Sequence, residues 1–437
     1  MQKQQESTAL VWFRNDLRIC DQQSLALACS NHKKVLAVYC FDPRHYQTTI
    51  YGFKKTERYR AAFLIQTVKE LQNSLKKHNI SLIVAHDTPE HTISALIKEY
   101  NITAVYSQKE WTFEETRIDV SLQENNPRVK WIASYDQFLF HPDDIPYESI
   151  TAIPKVFTTF RKKCEKQTQV RPPIPPISVM PLENLLKQNT PIPTLESLSL
   201  KDFEKDTRTA FPFLGGEHKA RQRIDHYFWQ TKKLQVYKKT RNGLLGTEYS
   251  SKLSPWLANG SISARTVYSE IKKFETQIAK NQDTYWLYFE LIWRDYFKYI
   301  SLKYGNAIFK IHGILYKKYE WKDHHPTFLK WVQGKTADTF VNANMKELAQ
   351  TGWMSNRGRQ NVASYLAKEL HEDWRKGAAY FESMLLDYDV HSNWGNWMYV
   401  SGVGNDPRDR KFNTKRQAER YDPHGKFQRL WLQEKLF

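Results

Sequence analysis

The first third of the chain alternates short apolar runs with longer stretches in which apolar residues recur every three or four positions. Short continuous runs are typical of strands buried on both faces of a parallel sheet, and the longer repeats of amphipathic helices. Two repeats, Thr56–Lys77 and Pro89–Tyr100, predict helices. The predicted strands are Ala9–Phe13, Val35–Phe41, Leu82–Ala85, Thr103–Tyr106 and Val129–Ile132. We therefore expect an α/β domain with a Rossmann-like parallel sheet over residues 1–135.

The predicted α/β domain lacks the usual dinucleotide-binding motif, and a proline-rich segment follows it. The segment after the first predicted strand is Phe13–Arg18, without the G-x-G-x-x-G pattern, so a dinucleotide site of the usual Rossmann kind is not expected. The chain then changes character, because ten of the eighteen prolines lie within Asp136–Leu200. Residue–proline steps keep a chain extended. The sequence therefore predicts a proline-rich connector over residues 136–205 that wraps around the protein rather than packs into it.

Helical periodicity dominates the remainder, residues 206–437, where strand signals are scarce. We expect an all-α second domain with irregular helix crossings. The predicted helices are Arg221–Trp229, Ser263–Ile278, Thr284–Lys303, Thr327–Gln333, Val341–Thr351, Arg357–Leu370 and Trp374–Leu386.

Composition narrows the class of protein. The 437 residues carry a formal charge of +18 that is spread along the chain. This charge favours a polyanionic partner such as nucleic acid, with a merely soluble basic protein as the alternative. No apolar run is long enough for a membrane span, and Met1–Thr8 is too polar for a secretory signal. The four cysteines form no C-x-x-C pair or zinc pattern, so we expect a cytoplasmic protein with reduced thiols and no metal site.

The candidate chemistry centres on Thr351–Gln360. Asn356 and Arg359 share one face of the predicted helix, whereas Arg357 points away from it. A buried arginine requires an anion, and Asp387 and Asp389 are the nearest unexplained acids. These residues predict a buried polar pocket that holds a cofactor, with Arg357 directed elsewhere.

Two further stretches carry polar groups in unusual surroundings. Glu290, Trp293 and Arg294 share a face of a predicted helix that is otherwise apolar and aromatic. Such a carboxylate is a satisfied core group, a surface Glu–Arg pair or part of a site. The second stretch, Tyr237–Gly243 with Ser250–Trp256, places hydroxyl and basic groups around a glycine turn, an arrangement that suits phosphate but also occurs in ordinary serine-rich turns.

These motifs together resemble the photolyase/cryptochrome family, and specifically its cryptochrome-DASH branch. The resemblance extends over nearly the whole chain, and the carboxyl-terminal motifs are long and specific. The motifs that carry it are Val11–Arg18, Phe211–Glu217, Tyr237–Gly243, Tyr249–Ala258, Phe289–Asp295, Thr351–Ser364 and Gly395–Arg408.

The resemblance implies FAD bent into a U-shape within the helical domain, and a photochemical reaction that splits cyclobutane pyrimidine dimers. It implies phosphate ligands at Tyr237 and Ser250–Ser254, an Arg359–Asp387 pair, and Asn393 facing the flavin N5. The implied cofactor-binding residues are Tyr237, Ser250, Ser251, Lys252, Leu253, Ser254, Glu290, Arg294, Trp353, Asn356, Arg359, Asp387, Asp389 and Asn393.

The family pattern also implies roles at the substrate. Glu290, Trp293 and Asn393 are the implied catalytic residues, with Glu290 bonding the flipped bases and Trp293 stacking beside them. The implied DNA-binding residues are Arg241, Arg357, Trp293, Gln360 and Tyr399. The implied electron relay consists of Trp397, Trp374 and Trp321, from the flavin to the surface.

A second chromophore, commonly a folate such as 5,10-methenyltetrahydrofolate, is implied between the domains. Glu115 matches its ligand, although a solvated glutamate at a helix end has the same short pattern.

The chain departs from the repair photolyases in one part of the implied lesion site. Tyr399 and Gln360 stand where those enzymes carry tryptophan and methionine, as is usual in the DASH branch. A smaller, more polar wall stacks less well on a flipped base, which implies a preference for single-stranded or locally unpaired DNA. Three departures from the DASH pattern itself, Ala337, Thr339 and Asn342, are expected to alter one helix start without emptying the flavin pocket.

Three functions remain open at this point. The leading hypothesis is a photolyase, and the alternative is a blue-light photoreceptor or DNA-binding transcriptional regulator with little or no repair activity. A colourless helical nucleic-acid binder is the third. We expect a monomer, and the sequence leaves RNA open as a competitor of DNA.

Overall fold

The computed structural model describes residues 7–187 and 190–433. Five strands form one sheet: β1 (Thr8–Trp12), β2 (Lys34–Cys40), β3 (Leu82–Ala85), β4 (Ile102–Gln108) and β5 (Lys130–Ser134). Neighbouring strands are parallel, in the order β3-β2-β1-β4-β5. The predicted Rossmann-like sheet is confirmed, and each predicted strand end is correct to within two residues.

Both faces of the sheet are covered by helices. Along β1, Ala9 and Val11 enter one apolar cluster while Leu10 and Trp12 enter another, as expected for a central strand buried on both sides. The helices of this domain are α1 (Gln23–Asn31), α2 (Arg58–Lys76), α3 (Pro89–Glu99) and α4 (Phe113–Asn125). The pattern predicted α2 and α3 but missed α1 and α4. The α4 helix buries only Ile118 and Leu122, which is too few apolar positions to show a helical period.

The connector contains a helix that the sequence interpretation missed. Helix α5 (Phe157–Gln167) buries Phe157, Phe160 and Cys164, which belong to the core cluster of the helical domain. The prediction that the connector wraps rather than packs is therefore wrong for this stretch, where an amphipathic repeat lies among the prolines. Residues 168–181 have no regular secondary structure, as predicted.

The second domain is helical, as predicted. Its helices are α6 (Glu217–Ile224), α7 (Tyr237–Thr240), α8 (Ser254–Ala258), α9 (Ala264–Gln277), α10 (Gln282–Tyr304), α11 (His325–Val332), α12 (Thr339–Thr351), α13 (Asn356–Ser364), α14 (Trp374–Met384), α15 (Val390–Ser401), α16 (Thr414–Tyr421) and α17 (Lys426–Leu432). Helices α6 and α13 continue as π-helical turns. Within the described ranges, no helix combines the length and apolar character that a bilayer span requires.

A buried network of charges joins the two domains. Arg265 on α9 donates to Asp21 at 2.7 Å and to Asp136 at 2.6 Å, and Arg18 donates to Asp136 at 2.6 Å. Gly260 lies so close to the sheet domain that a Cβ atom there would stand 2.0 Å from the carbonyl oxygen of Asn15. These contacts fix the helical domain against the carboxyl-terminal edge of the sheet.

Candidate functional site

A cavity of about 260 Å³ lies inside the helical domain. Its wall is formed by α7, the loop that leads into α8, one face of α10, the start of α13 and the segment before α15. It brings together thirteen of the fourteen predicted cofactor-binding residues: Tyr237, Ser250, Ser251, Lys252, Leu253, Ser254, Glu290, Arg294, Trp353, Asn356, Arg359, Asp387 and Asp389. Residues separated by more than 150 positions in sequence therefore line one enclosed space.

The start of α13 directs two arginines to opposite sides. The Ser355 hydroxyl caps the helix by accepting from the backbone N–H of Gly358 at 3.0 Å. Arg359 then points into the cavity, where its Nη2 donates to Asp387 at 2.9 Å. Arg357 points away and donates to Asn242 at 3.0 Å. The structure thus pairs the cavity arginine with an acid from the predicted segment.

Asp389 is a second fixed anion in the wall. Its carboxylate accepts from Lys298 at 2.8 Å and caps α15 through the backbone N–H of Ser392 at 2.7 Å. Burial alone would raise the pKa of Asp389, but the Lys298 ammonium holds that pKa well below its usual range. Asn393 is the exception among the predicted residues, because it is buried with its Nδ2 donating to the carbonyl of Ala378 on α14 at 3.0 Å.

The cavity also contains a buried lysine. Lys252 is 2% exposed, and in the described part of the chain its Nζ has no hydrogen-bond partner. The ammonium lies 3.2 Å from the ring centroid of Tyr249, and burial lowers its pKa well below the ordinary value. Nearby Glu347 is also buried, which raises its pKa to about 8. An anionic group such as a diphosphate would give the Lys252 ammonium a negatively charged partner. The residues present therefore fit a dinucleotide cofactor.

Glu290 lies at the exposed end of this wall. Its side chain is 28% exposed and forms an ion pair with Arg241 of 2.7 Å. Burial raises the pKa of Glu290, and the charge of Arg241 opposes that rise. The structure thus pairs the predicted catalytic carboxylate with a predicted DNA-binding arginine, a contact between α10 and the end of α7 that the sequence did not suggest.

Next to Glu290 stands an aromatic wall. Trp293 on α10 meets Tyr399 on α15 edge to face, with ring centroids 5.8 Å apart at 89°. Gln360 accepts from Arg357 at 2.8 Å. Trp293 and Tyr399, which sequence reasoning placed at the lesion, thus contact each other, and Gln360 bonds to the arginine that it placed at the backbone phosphates.

The three predicted relay tryptophans lie on adjacent elements. Trp397 and Trp374 are buried in α15 and α14, which approach so closely that a Cβ at Gly377 would stand 2.2 Å from the Trp397 ring. Half-buried Trp321 precedes Lys322, whose backbone N–H donates to His371 just before α14 at 2.7 Å. Sequence reasoning missed Trp394, which packs edge to face against Trp374 at 5.7 Å.

A second cavity, of about 480 Å³, lies between the domains. Glu115, the predicted antenna ligand, is among the residues that line it, and its carboxylate accepts from the hydroxyl of Thr112. Glu110 lines it as well, and its burial raises its pKa to about 7. Glu110 was missed, although it follows β4 at the carboxyl edge of the sheet, where α/β proteins place their ligands.

The three departures from the DASH pattern lie near the start of α12. Asp338 caps this helix, and the Asn342 side chain bonds back to Thr336, accepting from its N–H at 2.8 Å. The helix start is therefore intact. Ala337, Thr339 and Asn342 are not among the residues that line the 260 Å³ cavity within the described ranges.

Two family models match the chain. The model described as DNA photolyase matches residues 9–179, and the FAD binding domain of DNA photolyase matches residues 286–435. The helical domain is thus of the FAD-binding type.

Curated relatives match over nearly the full length. Cryptochrome DASH of Xenopus laevis is 46% identical over 428 residues, which covers 97% of this chain and 82% of that protein. Cryptochrome DASH of Gloeobacter violaceus is 46% identical over 435 residues, which covers 98% of this chain and 86% of that protein.

Solved structures agree with the sequence matches. A Synechocystis cryptochrome superposes with a TM-score of 0.93 at 43% identity, covering 99% of this chain and 89% of that one. An archaeal photolyase from Sulfolobus tokodaii, described with two FAD molecules, superposes with a TM-score of 0.78 at 25% identity, covering 98% and 90%. This chain therefore belongs to the photolyase/cryptochrome family, in its cryptochrome DASH branch.

Proposed function

We propose that this protein uses blue light to split cyclobutane pyrimidine dimers, preferentially in single-stranded or locally unpaired DNA. The observation that carries the proposal is the position of Glu290, which lines the cofactor cavity and stands one helical turn from the aromatic wall of Trp293 and Tyr399. A lesion that contacts this carboxylate would lie directly against the cofactor.

The cavity residues bind and orient FAD. Lys252 and Arg294 would supply positive charge for the diphosphate, together with the hydroxyls of Ser250, Ser251 and Ser254, and the Arg359–Asp387 pair lines the same cavity. When bound and reduced, FAD would supply the one-electron photochemistry for dimer splitting. Trp397, Trp374 and Trp321 form the proposed path along which electrons reach the cavity from the surface.

The substrate residues act on a base that has left its stack. A flipped dimer would replace Arg241 as the partner of Glu290, whose carboxyl group then bonds the bases in a site poor in water. The released Arg241, together with Arg357, would contact backbone phosphates. The charge of +18 adds sequence-independent attraction to DNA.

The shape of the aromatic wall supports the preference for single strands. The ring planes of Tyr399 and Trp293 are 89° apart, so the two rings do not offer parallel faces to a flipped base. Flipping a dimer out of a duplex costs the free energy of unpairing and unstacking. Weaker stacking in the pocket offsets less of that cost. A single strand has little of this cost, so its lesions remain within reach.

We also propose that the cavity between the domains holds a folate antenna, such as 5,10-methenyltetrahydrofolate. The side chains of Glu110 and Glu115 line this cavity, and their oxygens can accept hydrogen bonds from the N–H donors of a pterin ring. The absorbance spectrum of chromophores released from the purified protein distinguishes a folate from a second flavin.

A second candidate function is a light-dependent DNA-binding regulator. The same perpendicular arrangement of Tyr399 and Trp293 favours it, because a poor stacking wall serves signalling as well as weak repair. Reduced protein illuminated with oligonucleotides that carry one dimer separates the candidates. A photolyase restores pyrimidines in the single strand faster than in the duplex. Light-dependent changes in DNA affinity without dimer splitting in either substrate would overturn the repair proposal and favour the regulator.

A further inference from the structure

One side of the aromatic wall of Trp293 and Tyr399 is supported by the connector rather than by the helical domain. Phe157, the first residue of α5, lies face to face with Trp293, with ring centroids 3.6 Å apart and planes 13° from parallel. Phe157 itself is 7% exposed. Edges of Phe289 and Tyr296 enclose its ring at 5.3 Å and 5.4 Å. Phe157 therefore covers one face of Trp293 with a ring that is itself held in place.

The backbone around Phe157 is anchored to the helix that carries Trp293. Lys303 on α10 donates to the carbonyl of Ile153 at 2.6 Å, and the Tyr296 hydroxyl donates to the carbonyl of Lys155. Asn405, just after α15, donates to the carbonyl of Lys155 at 2.8 Å. Three bonds within three residues fix the entry to α5, so Phe157 and Trp293 behave as one packed unit.

The α5 helix is held again one turn later. Arg161 bridges Glu165 on its own helix and the hydroxyl of Tyr285 on α10, which lies 2.8 Å away. The same hydroxyl donates to Glu165 at 2.7 Å. The Phe157 ring is thus fixed to α10 from both sides along the chain.

We propose that Phe157 is a positioning residue of the lesion site, which sets the ring plane of the Trp293 side chain that a flipped base contacts. This inference rests on the proposed repair function. A half-buried tryptophan without such support would have to be ordered when the base arrives, and that entropy loss weakens binding. Support by a second packed ring removes this cost beforehand.

The test compares Phe157→Leu with Phe160→Leu. Both positions lie on α5 and are buried, but Phe160 packs on Tyr147, Tyr296 and Tyr299 rather than on Trp293. Phe157→Leu should weaken binding of a single-stranded oligonucleotide that carries one dimer by about tenfold, while binding of the undamaged oligonucleotide is unchanged. Phe157→Tyr should restore the dimer affinity, and the splitting rate at saturating substrate should stay close to that of the wild type.

The outcomes distinguish failure of the positioning role of Phe157 from failure of the proposed repair function. Equal losses in the two leucine variants, or full dimer affinity in Phe157→Leu, would overturn the positioning role alone. A wild-type protein that does not distinguish the two oligonucleotides would overturn the repair function and, with it, the role of Phe157. If leucine at this position prevents folding, Phe157→Met fills a similar volume without an aromatic face, and the same criteria apply to it.

Discussion

Glu290 and Arg241 form a pair whose partners would separate when DNA binds. We predict that Glu290→Gln lowers the rate of dimer splitting by about tenfold to a hundredfold, because an amide is a weaker hydrogen-bond donor to the reduced bases than a carboxyl group whose pKa is raised by burial. FAD content should remain that of the wild type, since twelve other predicted cofactor residues still line the cavity. The measurements are the flavin-to-protein absorbance ratio and the splitting rate under constant light.

A matched control for this prediction is Glu270→Gln. Glu270 pairs with Lys273 on α9 and carries no predicted role at the site. The Glu270→Gln substitution should leave both the flavin content and the splitting rate unchanged. Loss of flavin in Glu290→Gln would contradict the separation of cofactor and substrate roles.

Glu110 predicts a pH dependence of stability. Burial raises its folded pKa from 4.5 to about 7, so the folded state binds a proton that the unfolded state releases at lower pH. The stabilisation is fully present below pH 4.5 and is lost as the pH rises through about 7, a change of about 3 kcal/mol. Glu110→Gln should therefore remove part of the fall in melting temperature between pH 5 and pH 8. If the melting temperature of this variant fell with pH as much as that of the wild type, the raised pKa of Glu110 would not be the cause of the fall.

At the residue scale, the sequence predicted that a buried arginine needs an acid from Asp387 or Asp389, and the family resemblance implied the Arg359–Asp387 pair that the structure contains. It could not predict the Glu290–Arg241 pair, since both residues are plausible surface groups until α7 is known to pack against α10. Phe157 was missed for the same reason. A phenylalanine in a proline-rich segment carries no signal of the ring it will contact.

At the element scale, the contact between α14 and α15 positions the inner relay tryptophan. We predict that Trp397→Phe slows photoreduction of oxidised flavin severalfold, because phenylalanine is much harder to oxidise than tryptophan. Dimer splitting by chemically reduced protein should continue, since that reaction does not need the relay. Transient absorption and the splitting assay measure the two rates separately.

The control for the relay is Trp131→Phe, which lies on β5 in the sheet domain. It should photoreduce at the wild-type rate. If Trp397→Phe also matches the wild type, the electron path does not pass through Trp397, and Trp394 becomes the residue to test next because it contacts Trp374.

Elements with a strong period were predictable, and the others were not. The α9 and α10 helices follow the predicted Ser263–Ile278 and Thr284–Lys303 closely, since their apolar faces recur at helical spacing. The α15 helix was missed because its tryptophans, asparagines and glycine hide the period, although the capping Asp389 marks its start. Its position beside α10 depends on tertiary packing, which periodicity does not encode.

At the scale of the whole molecule, the buried charges of Arg265, Asp21 and Asp136 hold the domains together. We predict that Arg265→Ala lowers the free energy of unfolding by about 3–5 kcal/mol, because it leaves two buried carboxylates without their shared cation. Lys273→Ala on the same helix, which breaks a more exposed pair with Glu270, should change it by less than about 0.5 kcal/mol. Chemical denaturation measures both, and equal effects would show that the interdomain network is dispensable.

The most direct test of the central claim is the amount of intact thymine recovered when reduced, flavin-loaded protein is illuminated with a single-stranded oligonucleotide that contains one cyclobutane dimer. We predict light-dependent recovery, none in the dark, and a lower initial rate for the same dimer in a duplex. Absence of recovery from the single strand, with flavin bound and reduced throughout, would contradict the account.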